Sequence, residues 1–151
     1  MTPNELVENT QFKVAMANFA QYNPWRGNLG ERSEKFIGLH NNIVAITGRN
    51  ITLNLDSIQP LRMWKKISSG ASNYNPISAT ISLSNKFSVI TFLHEWGHAL
   101  GLNEVDASAW SNRIFEIYFP DQFHKLRNRG TAKDTMMVID RSNLSDIESG
   151  T

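Results

Sequence analysis

The stretch VITFLHEWGHAL, residues 89–100, limits the fold more than any other part of the chain. As a helix it has almost no polar face, because Val89, Ile90, Phe92, Leu93, Trp96 and Leu100 wrap most of it. A helix that is apolar nearly all round belongs in the interior of a protein. Yet this one carries His94, Glu95 and His98, and a buried polar group is costly unless something satisfies it. Any fold for this chain must bring partners to those three side chains.

His94 and His98 are four residues apart, which stacks them one turn apart on one helical face. Two imidazoles so placed can bind one zinc ion, and Glu95, beside the first, can reach a water held there. This is the HExxH arrangement, two ligands and a general base from a single helical turn. The chain has no cysteine. That excludes disulfides, thiol nucleophiles and cysteine-ligated zinc, so any metal must be held by His, Asp or Glu.

A catalytic zinc needs a third protein ligand and one open position. Gly101 suits the end of the first helix, read over 86–100, and Asn103 suits the start of a second over 104–119. At about 100° per residue, Glu104 shares a stripe with Ala107, Ser108 and Ser111, small residues that let two helices approach closely. Asp106 points nearer the polar side with Arg113 and Glu116. It also occupies the third helical position, where an acid has a plain capping and dipole role. The spacing favours Glu104 as third ligand, with Asp106 as the alternative. The bland alternative to the whole site is a helix whose histidines are simply hydrogen-bonded.

The chain as a whole, at ordinary globular composition, fits one α+β domain over 1–139 with a mobile tail over 140–151. An amphipathic helix is expected over 4–21 and a weaker one over 30–41. The segments IVAI and ITLNL, around a turn at Gly48-Arg49-Asn50, read as a hairpin. A short helix is expected over 57–67, turn chemistry over SSGASNYNP, and a half-buried strand over ISATISLS, 77–84. Helices follow as above, with a short one over 121–128 and a strand at MMVI. Trp25, Trp64, Trp96 and Trp110 read as core.

Net charge is +1, so nothing global favours nucleic acid or an anionic membrane surface, and the basic stretch HKLRNRGTAK reads as a solvated helix end. No apolar run is long enough to span a bilayer. The opening residues MTPNELVENTQF lack the pattern of a secretory signal, which points to the cytoplasm at synthesis, with delivery as an effector or toxin domain also compatible.

The segment HEWGHALGLNE resembles the active-site helix and turn of zincin metallopeptidases. His94, Glu95, His98 and Gly101 match the metzincin pattern HExxHxxGxxH, with Glu104 standing where the third His would be. A glutamate on the following helix is instead the gluzincin plan, whose small members, the minigluzincins and the ImmA/IrrE-like peptidases, are similar in size. EVDASAW is similar to a stretch of the latter in which the second acid ligates, a match that favours Asp106.

The resemblance implies a zincin-like fold, with a small β-sheet packed on the HExxH helix and a helical C-terminal part. It implies a zinc-dependent endopeptidase with one zinc ion per chain, acting on a protein or peptide substrate, with Glu95 as general base. It implies that the strand before the active helix lines the cleft, through Ser78, Thr80 and Ser82, and pairs at its edge with extended substrate. It also implies an oxyanion-stabilising side chain, for which Tyr118 and His124 are candidates and Tyr74 a third. His124, like His40, reads otherwise as an ordinary surface or core residue. A peptide deformylase is excluded, because its site needs a cysteine. A binding or regulatory module with a closed structural zinc, or with no metal, is the reading from a different class.

Overall fold

The structure, a computed structural model, describes residues 1–55, 72–83, 88–128, 132–134 and 138–139. The first helix, α1 (Pro3–Glu8), starts from a capping box in which Thr2 and Glu5 satisfy each other's backbone N–H groups. The single helix expected over 4–21 is broken at Asn9. Its side chain accepts from the Phe12 N–H at 3.0 Å, so Asn9 closes α1 and opens α2 (Thr10–Gln21). A short amide that bonds its own backbone competes with helix continuation. Phe12, Met16 and Phe19 bury the inner face of α2.

The expected hairpin at 43–55 is absent. Residues 43–46 are instead the last turns of a long helix, α3 (Leu29–Thr47), which starts from an Asn28/Glu31 capping box and stops at Gly48 with φ +70°. Phe36, Leu39, His40 and Ile43 form one continuous buried face. That packing outweighs the strand preference of the branched residues in IVAI, and Gly48 serves as a helix terminator.

Strands β1 (Thr52–Leu55), β2 (Asn73–Asn75) and β3 (Thr80–Leu83) form a sheet in the order β1-β3-β2. β3 runs parallel to β1, with Leu53 opposite Ile81, and antiparallel to β2, with Tyr74 opposite Ile81. The strand expected over 77–84 is therefore shorter and central, hydrogen-bonded on both sides. Ile81 and Leu83 enter the core, so Thr80 and Ser82 point to the other face. Ser78 lies in the turn before the strand. The helix expected over 57–67 and the tail over 140–151 lie outside the described residues.

The chain continues through α4 (Val89–Ala99), α5 (Glu104–Tyr118), α6 (Pro120–Asn128) and the pair β4 (Ala132–Asp134) and β5 (Val138–Ile139). The domain is thus mixed α+β and mostly helical, and no described helix is long and apolar enough to cross a membrane. Helix α4 is the centre of the core. Val89, Ile90, Phe92, Leu93 and Trp96 are all buried, against Phe36 and the other residues of one apolar cluster. It packs on α5 at Gly97, where an added Cβ would sit 3.1 Å from the Ala107 Cβ and 3.2 Å from its Cα.

A polar link runs through this core. His40 on α3 bonds the Ile51 carbonyl through Nε2 at 2.7 Å and receives the Trp96 indole N–H at Nδ1 at 3.1 Å. A carbonyl only accepts and an indole N–H only donates, so both imidazole nitrogens have set roles and the ring is neutral. His40 is buried. Burial pushes its pKa down from the ordinary value, partly opposed by the bond to Ile51. Protonation would aim a second N–H at the indole.

Two outcomes follow. The folded state disfavours protonated His40 relative to the unfolded chain, so this contribution to stability is complete above about pH 6.5, the ordinary histidine value. It is lost as pH falls from there through the lowered folded pKa. Urea denaturation from pH 8 to 5 should show that loss in the wild type, and a shallower one in His40→Gln. Gly97→Val should lower unfolding stability by about 1–3 kcal/mol through overpacking against Ala107, measured the same way.

Candidate metal centre and cleft

Ser88 starts α4: its hydroxyl oxygen accepts from the Thr91 N–H at 3.1 Å. The helix ends in a Schellman turn. The Gly101 N–H bonds the His98 carbonyl and the Leu102 N–H bonds the Gly97 carbonyl, both at 2.9 Å. Gly101 has φ +97°, a left-handed conformation that suits glycine. Asn103 then caps α5, its side chain accepting from the Asp106 N–H at 2.8 Å. Only Leu100 to Asn103 separate the two helices, so α5 folds straight back along α4 and meets it at Gly97 and Ala107.

This places Glu104 against the histidine pair. Its Oε1 lies 2.5 Å from His94 Nε2 and 3.3 Å from His98 Nε2, and the two Nε2 atoms are 3.0 Å apart. Ligands on tetrahedral zinc at about 2.0–2.1 Å are separated by roughly 3.3 Å, so three donor atoms converge at about the size of one coordination sphere. The set, two imidazole nitrogens and one carboxylate oxygen, is a zinc-type donor set. Among the described residues, no fourth His, Asp or Glu joins the group.

The tautomers fit as well. The Leu102 carbonyl accepts from His98 Nδ1–H at 2.9 Å. A neutral His98 therefore presents a bare lone pair at Nε2. The Ser108 hydroxyl lies 3.3 Å from His94 Nδ1 and can orient that ring from the other side. The turn that ends α4 thus also aims His98. Nothing in the side-chain pattern of the sequence announced this role for the Leu102 main chain, and only the Gly101 signal hinted at the turn.

An open cleft of about 490 Å³ lies over the cluster, lined by Glu95, His98 and Glu104 on the helix side and by Ser72, Asn73, Tyr74 and Pro76 on the sheet side. Glu95 is buried, with 3% of its surface accessible, yet it lines this cleft. His94 is equally enclosed, whereas the Glu104 side chain is mostly exposed. The cluster is closed toward the core and open toward the cleft.

Other expected residues fall elsewhere. Asp106 lines a separate cleft of about 300 Å³ with Thr2, Asn4, Trp110 and Arg113. It is not part of the His94–His98–Glu104 group. Ser78, Thr80 and Ser82 do not line the main cleft. The strand beside it is β2, because β3 is the middle strand. Tyr118 and exposed His124 are also absent from its described lining, while Tyr74 is present. Tyr118 is instead half-buried near Glu8, and burial first, then the Glu8 charge, push its hydroxyl pKa up. Tyr74 shares the Ile81 face of the sheet and packs against the core. Its neighbours in sequence look like turn residues, which is why the strand did not stand out.

Comparison of the chain with known protein families, with curated proteins and with solved structures finds no match.

Metal content by mass spectrometry should give about one zinc per chain for the wild type and for Asp106→Ala, with loss in His98→Ala and Glu104→Ala. Ser108→Ala should retain the site but bind zinc about 10-fold more weakly or worse, the usual cost of losing an orienting partner. Retention in Glu104→Ala with loss in Asp106→Ala would reverse the assignment.

Proposed function

We propose that this chain is a zinc-dependent endopeptidase of zincin-like architecture, with one zinc ion per chain held by His94, His98 and Glu104. The observation that carries this reading is the convergence of those three donor atoms on the side of a buried helix that also presents Glu95 to an open cleft. Further support comes from the arrangement of a three-stranded sheet beside the HExxH helix, followed by further helices. A bound zinc ion supplies Lewis acidity, which makes a water acidic near neutral pH and polarises a carbonyl.

The protein's own groups supply the rest. Glu95 accepts a proton from the attacking water and returns it to the amine that leaves when the peptide C–N bond breaks. Its burial beside the cleft keeps that carboxylate close to the reacting atoms and away from bulk water. Leu102 and Ser108 hold the imidazoles in orientation. The outer side of β2, which has no strand partner among the described residues, offers main-chain groups to an extended peptide. Tyr74, on that strand, lines the same cleft, and in this reading its hydroxyl donates to the oxyanion. A protein or peptide substrate fits a shallow open cleft of this kind. A closed structural zinc fits less well, since it calls for four protein ligands and the cluster has three among the described residues.

Purified zinc-loaded protein should cleave an unfolded protein such as casein. Glu95→Gln should keep its zinc and lose about 10²–10⁴-fold in rate, the usual worth of a general base. Undiminished cleavage by Glu95→Gln would remove this mechanism.

A further inference from the structure

The turn joining β2 to β3 is held firmly. Asn75 Oδ1 accepts the Ile77 N–H at 2.9 Å and the Ser78 N–H at 3.4 Å, and the Thr80 hydroxyl donates to the Ser78 carbonyl at 3.1 Å. Ala79 completes the reversal with φ +50°. At its tip stands Ile77, 97% exposed, against 68% for Tyr22, the next most exposed large apolar residue described. Turns favour Gly, Pro, Asn, Asp and Ser for reasons of backbone geometry and local hydrogen bonding. A branched apolar side chain brings neither, and it keeps apolar surface in water.

One exposed isoleucine is ordinary. What distinguishes Ile77 is its place. Pro76, its neighbour, lines the cleft together with Tyr74, Glu95, His98 and Glu104. The hairpin tip therefore forms part of the cleft rim, and its own hydrogen bonds set its position without help from the Ile77 side chain. A peptide lying along the outer side of β2 advances about 3.4 Å per residue. The strand ends at Asn75 and Ile77 stands in the turn beyond it, so a peptide that runs past the end of β2 meets Ile77 to one side of the residue beside Tyr74.

Building on the peptidase reading of this cleft, we propose that Ile77 is a specificity element that receives one large apolar side chain of an extended peptide substrate, to one side of the scissile bond. The occupant is apolar because the turn carries no charge and its largest exposed side chains, Pro76 and Ile77, are apolar, while the Asn75 side-chain oxygen is taken up by the turn's own N–H groups. Burying such a pair of side chains from water is worth roughly tenfold or more in affinity.

Two readouts test this on the full chain. The first is the pattern of cleavage sites left by zinc-loaded wild type and Ile77→Ser in a mixture of random decapeptides, read by mass spectrometry. The second is fluorescence anisotropy of labelled Ala/Ser decapeptides, with a single Leu walked along the chain, on Glu95→Gln and Glu95→Gln/Ile77→Ser. Zinc content and melting temperature should not change with Ile77→Ser, since the side chain touches so little. The expected result is a preference for Leu, Ile, Met or Phe at one position on one side of the cut in the wild type. Ile77→Ser should flatten it, Ile77→Leu should retain it, and the Leu-dependent part of binding should fall about tenfold in the serine variant. An unchanged preference and unchanged binding in Ile77→Ser would overturn the proposal. If the wild type cleaves nothing but Leu-dependent binding is still lost with Ile77→Ser, the docking role of Ile77 stands and the peptidase reading falls. If no peptide binds, both fall.

Discussion

The close approach of two helices at Gly97 and Ala107 is the contact on which the site depends. A Cβ at Gly97 would meet Ala107 at 3.1 Å, so α5 lies as near to α4 as backbone and methyl groups allow. The two helices are tied by a turn of only four residues, closed by the Schellman bonds around Gly101. With one end fixed by that turn and the middle fixed by the glycine contact, the first residue of α5 has little freedom. That residue is Glu104, and its carboxylate meets both histidines. Interior packing is dense and resists small displacements, so the contact of a glycine with an alanine sets the geometry of a polar cluster one helical turn away.

The same helix has to solve a solvation problem. His94 and Glu95 are buried within an apolar cluster that includes Leu93 and Trp96. Polar groups in such a place are tolerable only with partners. His94 has Glu104, His98 and Ser108 within hydrogen-bonding range, and His98 has the Leu102 carbonyl. His40 on α3 solves a similar problem, using the Ile51 carbonyl and the Trp96 indole. Trp96 thus fastens the face of α4 opposite the cleft to α3 and to the segment entering β1. Such fixed hydrogen-bond roles hold an orientation in a way that apolar contacts alone do not.

Much of this was legible along the chain. The HExxH spacing, the Gly101 stop, the Asn103 cap and the small-residue stripe at Ala107 and Ser108 are all local signals, and α4 and α5 follow them closely. The structure departs from these signals chiefly where long-range packing decides, and once, at Asn9, through a local cap. IVAI has strand-like residues but continues the buried face of α3. Asn9 interrupts a periodic apolar pattern by bonding its own backbone. The strand 80–83 alternates as an edge strand would, yet it pairs on both sides, because alternation reports which face is buried and says nothing of which neighbours flank it.

The sequence by itself determined the chemistry available: no thiols, two imidazoles and a carboxylate on one turn of an apolar helix, and two acids at the start of the next. Helical periodicity and capping are short-range effects, so residue types and spacings are enough to read them. Which acid faces the histidines, which strand borders the cleft, and that Tyr74 and Pro76 stand across from Glu95 were decided only in three dimensions. Glu104 and Asp106 are two residues apart, about 200° around a helix. The angle at which α5 packs on α4, set by Gly97 and the turn at Gly101, is what separates them.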